Sequence, residues 1–340
     1  MTSPKPAAGD RISLAHGNGG RLMRELIEEV FAAAFDGGLD TQCDAAALPL
    51  GGVDGDWMIT TDGFTVEPLE FPGGDIGSLA VHGTINDLAV SGAEPRFITL
   101  NAFIEEGLEV ATLERIARSV AKACAESGVR LLAGDTKVVR RGQGGGLYLA
   151  TTGIGRRKTS QPLGIDQVRT GDVIVVSGTL GDHGTAVMLA REQFGLKGDL
   201  RSDAASVVPV TSILLGAPGL RFMRDPTRGG LATVAHEIAA AGSHTIRLFE
   251  DQLPLRREVV SVCEILGYDP LYLASEGRVV AALSPEAADA AVMALQAQGY
   301  RQARKVGRVE AGLPRVILET LLGGERILPE LEDDPLPRIC

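Results

Sequence analysis

Five aspartates stand in five separate segments, each beside glycine or another small residue. They are Asp44 in Cys43-Asp44-Ala-Ala-Ala, Asp62 in Thr60-Thr-Asp-Gly-Phe64, Asp87 in Asn86-Asp87-Leu-Ala, Asp135 in Gly134-Asp135-Thr-Lys137, and Asp225 in Asp225-Pro-Thr-Arg-Gly-Gly230. Taken singly, each reads as a cap or turn residue, because a short carboxylate satisfies nearby backbone N–H groups. Gathered at one place they would be hard oxygen ligands of the kind that holds Mg²⁺ and bridges it to phosphate. A different reactive group stands far from all of them. Cys340 follows Leu336-Pro337-Arg338-Ile339, and Pro329, Pro335 and Pro337 punctuate an acidic run of Glu330, Glu332, Asp333 and Asp334. Such a segment is expected to be extended and solvated. At no more than ~3.5 Å per residue, the dozen or so residues from Pro329 could carry the sulfur roughly 40 Å. The segment is either a frayed end or an arm that presents a thiol to a distant site.

The elements that would position these groups follow from the pattern. His16-Gly-Asn-Gly-Gly20 precedes a helical pattern over 21–35, with Leu22, Leu26 and Val30 in phase. Gly17, Asn18, Gly19 and Gly20 form either a plain flexible loop or a phosphate cradle at a helix N-terminus. The chain carries neither GxxxxGK[ST] nor GxGxxG, so a nucleotide would have to be held in another way. A strand at Trp57–Thr61 is expected to leave Asp62-Gly63 just past its end, where ligands sit in α/β folds. A helix over 75–90, apolar on most sides, predicts a buried Asp87 in need of a partner or a cation.

A strand at 96–104, a helix at 108–127, a buried strand at 129–133 delivering Gly134–Lys137, and a strand at 144–155 complete the first unit. Arg156-Arg157-Lys158 and a turn at 162–164 read as a connection. The second unit is read as strands at 170–178, 245–249, 271–274 and 278–282 with helices at 184–194, 206–215, 231–241 and 285–298. Ser275-Glu276-Gly277 lies between two of those strands, and segments 300–309 and 314–319 finish the fold. The expected class is α/β, with domains 1–155 and 165–322 and a flexible tail 323–340.

A chain of 340 residues is long enough for two cores. Its net charge of −11 and aromatic content of 4% argue against a nucleic-acid or anionic-membrane surface. No run approaches the ~20 apolar residues that span a bilayer, and residues 1–10 lack the apolar core of a signal peptide. The cysteines, at 43, 124, 263 and 340, form no CxxC pair, which disfavours a zinc site or a disulfide framework. A reducing cytoplasm is the default expectation.

The aspartate motifs resemble those of the aminoimidazole ribonucleotide synthetase-like (PurM-like) superfamily, which includes selenophosphate synthetase and thiamine-monophosphate kinase. With His16-Gly-Asn-Gly-Gly20 near the start and Pro337-Arg-Ile-Cys340 at the end, the resemblance narrows to the HypE family of NiFe-hydrogenase maturation proteins. It covers roughly Ile12 to Cys340. The resemblance implies two α/β domains, the first lending strands to a β-barrel shared in a homodimer. It implies that a HypF-like carbamoyltransferase loads a carbamoyl group onto Cys340, which ATP-dependent dehydration turns into a thiocyanate. The cyano group then passes to an iron held by a HypC–HypD-like scaffold. ATP and Mg²⁺ are the implied cofactors.

For the nucleotide the resemblance implies Gly17, Asn18, Gly19 and Gly20, with Asp44, Thr61, Asp62 and Asp87. It adds Asp135, Thr227 and Arg228 to that set. For the metal it implies Asp44, Asp62, Asp87 and Asp225. Elementary chemistry agrees: an amide oxygen leaves readily only once phosphorylated, and phosphoryl transfer needs positioning and charge neutralisation. Elimination then needs a base, for which Glu276 is a candidate, and Lys137 could neutralise charge on the oxygen. Two other classes stay open at this point. One is a superfamily kinase or ligase acting on a free small molecule, and the other is a non-catalytic adaptor with a docking tail.

Overall fold

The computed structural model describes residues 12, 16, 20–33, 41–50, 56–157, 161–191 and 198–331. Within them, the helix expected over 75–90 forms at Ile76–Val90, and both halves of the molecule close upon it. Asp75 starts it as an N-cap: its carboxylate accepts the N–H groups of Gly77 and Ser78 at 2.7 and 3.0 Å, and the Ser78 hydroxyl accepts from the Asp75 N–H at 3.1 Å. Apolar residues on every side make it a buried helix rather than an amphipathic one; Ile76, Leu79, Ile85 and Leu88 are sealed from solvent. Its first turns share one cluster with Phe64 and Leu149 and also with Val187, Met188 and Val259 from the second half. Its last residues, Ala89 and Val90, join a cluster with Val207, Leu214 and Met223.

In chain order the first unit runs α1 (Arg21–Leu26), β1 (Ala46–Leu48), β2 (Trp57–Phe64), the two-residue strands β3 (Glu70–Phe71) and β4 (Gly74–Asp75), and α2 (Ile76–Val90). It continues with β5 (Ala93–Glu105), α3 (Val110–Glu126), β6 (Arg130–Val139) and β7 (Leu147–Arg157). The sheet order is β1-β2-β7-β5-β6. All its pairs are antiparallel except β5–β6, where α3 supplies the crossover a parallel pair requires.

The second unit runs β8 (Val173–Val176), α4 (Asp182–Ala190), α5 (Val208–Leu215), β9 (Leu220–Arg224), α6 (Gly230–Gly242) and β10 (His244–Phe249). It ends with α7 (Arg257–Leu266), β11 (Val280–Leu283), α8 (Pro285–Ala297), β12 (Arg304–Ala311), β13 (Arg315–Glu319) and β14 (Glu325–Leu328). Its sheet has the order β14-β13-β10-β12-β8-β11-β9. Helices cover both faces, and the two-residue period of a strand assigns side chains to them. Ile174 and Val176 of β8 pack with Leu231 and Ile238 of α6. Val175, between them, packs with Leu214 of α5 and Leu295 of α8.

Several expectations need correction. Asp62-Gly63 does not follow the strand but lies within it, because the ladder with β7 continues and sets Asp62 opposite Thr151. The apolar run at 129–133 is not a buried strand: β6 is an edge strand, and Leu131 and Leu132 are 47% and 53% exposed. No strand forms at 271–274. Pro270–Tyr272 is a 3₁₀ turn, whose proline has no N–H for a ladder and whose Asp269 carboxylate accepts the Leu271 N–H at 3.0 Å. The pattern over 21–35 gives a short α1 followed by a wider turn at Ile27–Ala32. The fold also continues past residue 323, since β14 pairs with β13. Helix α7 and strand β9 were not foreseen. Among the described residues, no helix is long and apolar enough to cross a membrane.

Candidate active site

Asp44, Asp87 and Asp225 each offer a carboxylate oxygen to one point, and those oxygens all lie within 4.8 Å of one another. The three arrive by different routes. Asp87 sits on α2, where the Thr60 hydroxyl of β2 donates to its Oδ2 at 2.9 Å. That approach needs Gly83, since a Cβ there would stand 2.7 Å from the Phe64 ring. Asp44 is held by Arg224 at the end of β9: Nε stands 3.0 Å from its Oδ2, Nη1 donates to Glu237 of α6 at 3.0 Å, and Nη2 to the Gln42 carbonyl at 2.8 Å. Asp225 is the next residue and only 5% exposed. Behind it the chain turns into α6 through Gly229 and Gly230, at φ +75° and +58°. A Cβ on Gly230 would stand 2.5 Å from the Leu271 carbonyl oxygen, so only glycine fits.

These carboxylates line a cavity of about 280 Å³, which Thr61 and Asp62 of β2, Thr227, Arg228 and Glu276 also wall. Burial, opposed by Arg224 and reinforced by Asp225 and Glu237, pushes Asp44 up to about 7. Burial, again opposed by Arg224, raises Asp225 to about 6. Burial and the three neighbouring aspartates hold Asp87 well above the carboxylate range. Glu276, 3% exposed, is pushed up by burial and by Asp225, Asp203 and Asp62, with Arg228 opposing. Carboxyl groups thus outnumber the guanidinium groups that wall this cavity. A set of oxygen donors this close suits a hard divalent cation such as Mg²⁺, which would return these groups to their ionised state.

That arrangement makes a linkage prediction. A carboxylate whose folded pKa is raised keeps its proton where the unfolded chain has lost it. It favours folding below the ordinary value of 3.8, and the advantage is lost as pH rises through about 7 for Asp44 and about 6 for Asp225. A cation taking the protons' place should restore it. In thermal melts, Mg²⁺ is expected to raise Tm more at about pH 8 than at about pH 5. An equal shift at both would remove these carboxylates from the ion's site.

The other expected site residues are placed as follows. Asp62 lines the cavity outside the tight group, and its Oδ1 accepts the Gly63 N–H at 2.7 Å. The Thr61 hydroxyl donates to the Thr151 carbonyl at 2.9 Å. Asp135 and Lys137 lie on β6 opposite Asn101 and Phe103 of β5. Both are exposed, and neither is among the described residues that wall the cavity. Their strand stands at the far edge of the sheet from β2, which carries them away from it. Gly20 caps α1, whereas Gly17, Asn18, Gly19 and Cys340 lie outside the described residues. Arg224 and Glu237 were not anticipated; the only local signal was a cation directly before Asp225. Last, Arg24, on the cavity wall, pairs with Glu330, and the Arg21 N–H donates to the Leu331 carbonyl at 3.2 Å. The final described residues thus sit beside the cavity.

Known proteins share this plan. The model for AIR synthase related protein, N-terminal domain, matches residues 42–157, and that for AIR synthase related protein, C-terminal domain, matches residues 169–318. The chain is similar to "Carbamoyl dehydratase HypE" of Rhizobium leguminosarum bv. viciae, at 44% identity over 338 residues, 98% of this chain and 96% of the relative. Among solved structures it is similar to HypE in a HypE–HypF complex, with TM-score 0.83, 41% identity, and 89% of this chain and 99% of that one covered. It is also similar to hydrogenase maturation protein HypE in complex with ATP, with TM-score 0.80, 41% identity, and coverage of 96% and 99%.

Proposed function

The chain belongs to the HypE family of carbamoyl dehydratases, and from that premise we propose that it dehydrates an S-carbamoyl group on its own Cys340 to a thiocyanate. At the level of the family, it is an ATP-dependent carbamoyl dehydratase of hydrogenase maturation. The small-molecule kinase and the adaptor are not the activities of this family. The observation that carries the residue-level reading is the seat of Glu330 and Leu331 against α1 beside the carboxylate cavity. Nine residues remain from 332 to Cys340, enough to span roughly 30 Å at ~3.5 Å each. A sulfur on that arm can serve both the cavity and a partner.

The carbamoyl oxygen of Cys340–S–C(=O)–NH₂ attacks the γ-phosphorus of ATP, and ADP leaves. Loss of one N–H proton gives an imidate whose oxygen carries phosphate. Loss of the second proton expels phosphate and leaves Cys340–S–C≡N. Glu276 is the base for the nitrogen protons, and Arg228 and Thr227 bind the nucleotide's phosphates. Mg²⁺, which Asp44, Asp87 and Asp225 would hold with Asp62 nearby, supplies neutralisation of the phosphoryl charge. Gly17, Asn18, Gly19 and Gly20 keep their assignment as a phosphate loop.

A carbamoyltransferase of the HypF type is the donor; the similarity to a HypE crystallised with HypF supports this. A HypC–HypD-like iron scaffold is the acceptor. A second copy of the chain is proposed to cover β6, whose exposed Leu131, Leu132 and Val138 lie beside exposed Phe103 of β5. Asp135 and Lys137, outside the cavity of one chain, take their proposed roles through that pairing. The cytoplasm is the proposed place of action, since the scheme needs Cys340 as a free thiol.

The test is the intact mass of the carbamoylated chain before and after ATP and Mg²⁺. One chain is expected to lose the mass of one water for each ADP formed. A carbamoyl mass that persists while ATP is consumed would refute the scheme.

A further inference from the structure

Asn86 precedes Asp87 on α2 and is completely buried. An amide in that position is unfavourable unless hydrogen-bonded. Its bonds all cross to the second unit. Nδ2 donates to the carbonyls of Ala205 at 3.0 Å and Glu276 at 3.2 Å, and Oδ1 accepts the Val207 N–H at 2.8 Å. The N–H of Glu276 in turn donates to Oδ1 of Asp203 at 3.1 Å. Asp203 is anchored by Arg278, whose Nε lies 3.3 Å from its Oδ2 and donates to the Thr179 carbonyl at 2.9 Å. The fit is close enough that a Cβ on Gly277 would lie 2.0 Å from the Asp203 carbonyl oxygen. Consecutive helical residues point about 100° apart. One turn of α2 therefore sends Asp87 to the carboxylate group and Asn86 to the backbone that carries Glu276.

We propose that Asn86 and Asp203 are positioning residues for the dehydration step, gripping the Glu276 backbone from the two units so that the base stays in register with the cation-binding face of α2. Neither touches the reacting atoms. This rests on the role given to Glu276 above. The tolerance for such a base is tight: a misplacement of about 1 Å can reduce a rate about 10²-fold.

The experiment follows water loss by the carbamoylated chain in a single turnover with ATP and Mg²⁺. Asn86→Ala, Asn86→Leu (which keeps much of the bulk but removes both donated bonds) and Asp203→Ala are each expected to slow it about 10²-fold. Nucleotide affinity measured by calorimetry should stay within about twofold, because the phosphate and cation groups are untouched. Asp203→Asn keeps an oxygen that accepts the Glu276 N–H but loses the Arg278 anchor, and is expected to lose less of the rate than Asp203→Ala. In a Glu276→Gln background, Asn86→Ala should cause no further loss, the non-additivity expected of residues acting through one group.

A purely structural role predicts a lower Tm with an unchanged rate per folded molecule, or additive losses in that background. Either result overturns the proposal, as does nucleotide affinity falling in step with the rate. If Asn86→Ala does not fold, the similarly sized Asn86→Leu replaces it, and if neither folds the Asp203 pair decides. The native chain is run alongside. Should it fail to lose water, the dehydratase reading of Cys340 and Glu276 fails; should it react while the variants match it, only the positioning role fails.

Discussion

Cys340→Ala is expected to abolish thiocyanate formation completely and to leave ATP binding within about twofold. The loss is expected to be total because the sulfur is the proposed carrier: without it no carbamoyl group would be attached and the cavity would have nothing to dehydrate. The described cysteines do not substitute for it. Cys124 and Cys263 are buried, and burial, aided by Asp269, pushes the Cys263 thiol up to about 12. A thiol in that state supplies almost no thiolate at neutral pH. Cys43 is exposed and stands on the cavity wall itself. The measurement is intact mass after incubation with the carbamoylating partner, then after ATP and Mg²⁺, with the modified residue located by peptide mapping. A carbamoyl group that still appears in Cys340→Ala, and still loses water, would end the carrier role.

Glu276→Gln is expected to accept the carbamoyl group normally and then to stall, with dehydration slowed about 10²–10⁴-fold, the range associated with a positioned acid or base. The substitution suits the purpose. Glutamine has nearly the same shape, and the bonds to Ala205, Val207 and the Glu276 backbone come from Asn86 and Asp203 rather than from the Glu276 side chain. The environment that presses this carboxyl upward, burial together with Asp225, Asp203 and Asp62, also makes its ionised form a strong proton acceptor. Nucleotide affinity should be preserved. Dehydration at the native rate would place the base elsewhere, and loss of ATP binding would show that Glu276 shapes the cavity without taking part in the chemistry.

Much of this could be read from residue order because local rules govern it. Helix α2 is apolar at nearly every position, which left burial as its only stable environment and made Asp87 a carboxylate needing company. Strands β8 and β10 follow their hydrophobic runs, and the glycines after Asp225 mark a turn that only they can make. The family likeness rests on the same short motifs together with Cys340. None of this required knowing what lies next to what.

The rest depended on closure of the chain. Periodicity reports which face of an element is apolar and is silent on whether anything covers it, so the run at 129–133 looked buried while β6 lies at an edge. The ladder with β7 carried β2 past Asp62, because a strand ends where its partner ends and not where its own sequence suggests. Proline and the Asp269 cap turned 270–272 away from a strand. Above all, the grouping of Asp44, Asp87 and Asp225, the Arg224 clamp, and the grip of Asn86 and Asp203 on Glu276 join residues far apart in the chain. Such contacts are selected by the fit of two cores around one helix. A sequence lists the groups able to make them, but only the packed structure decides which of them meet.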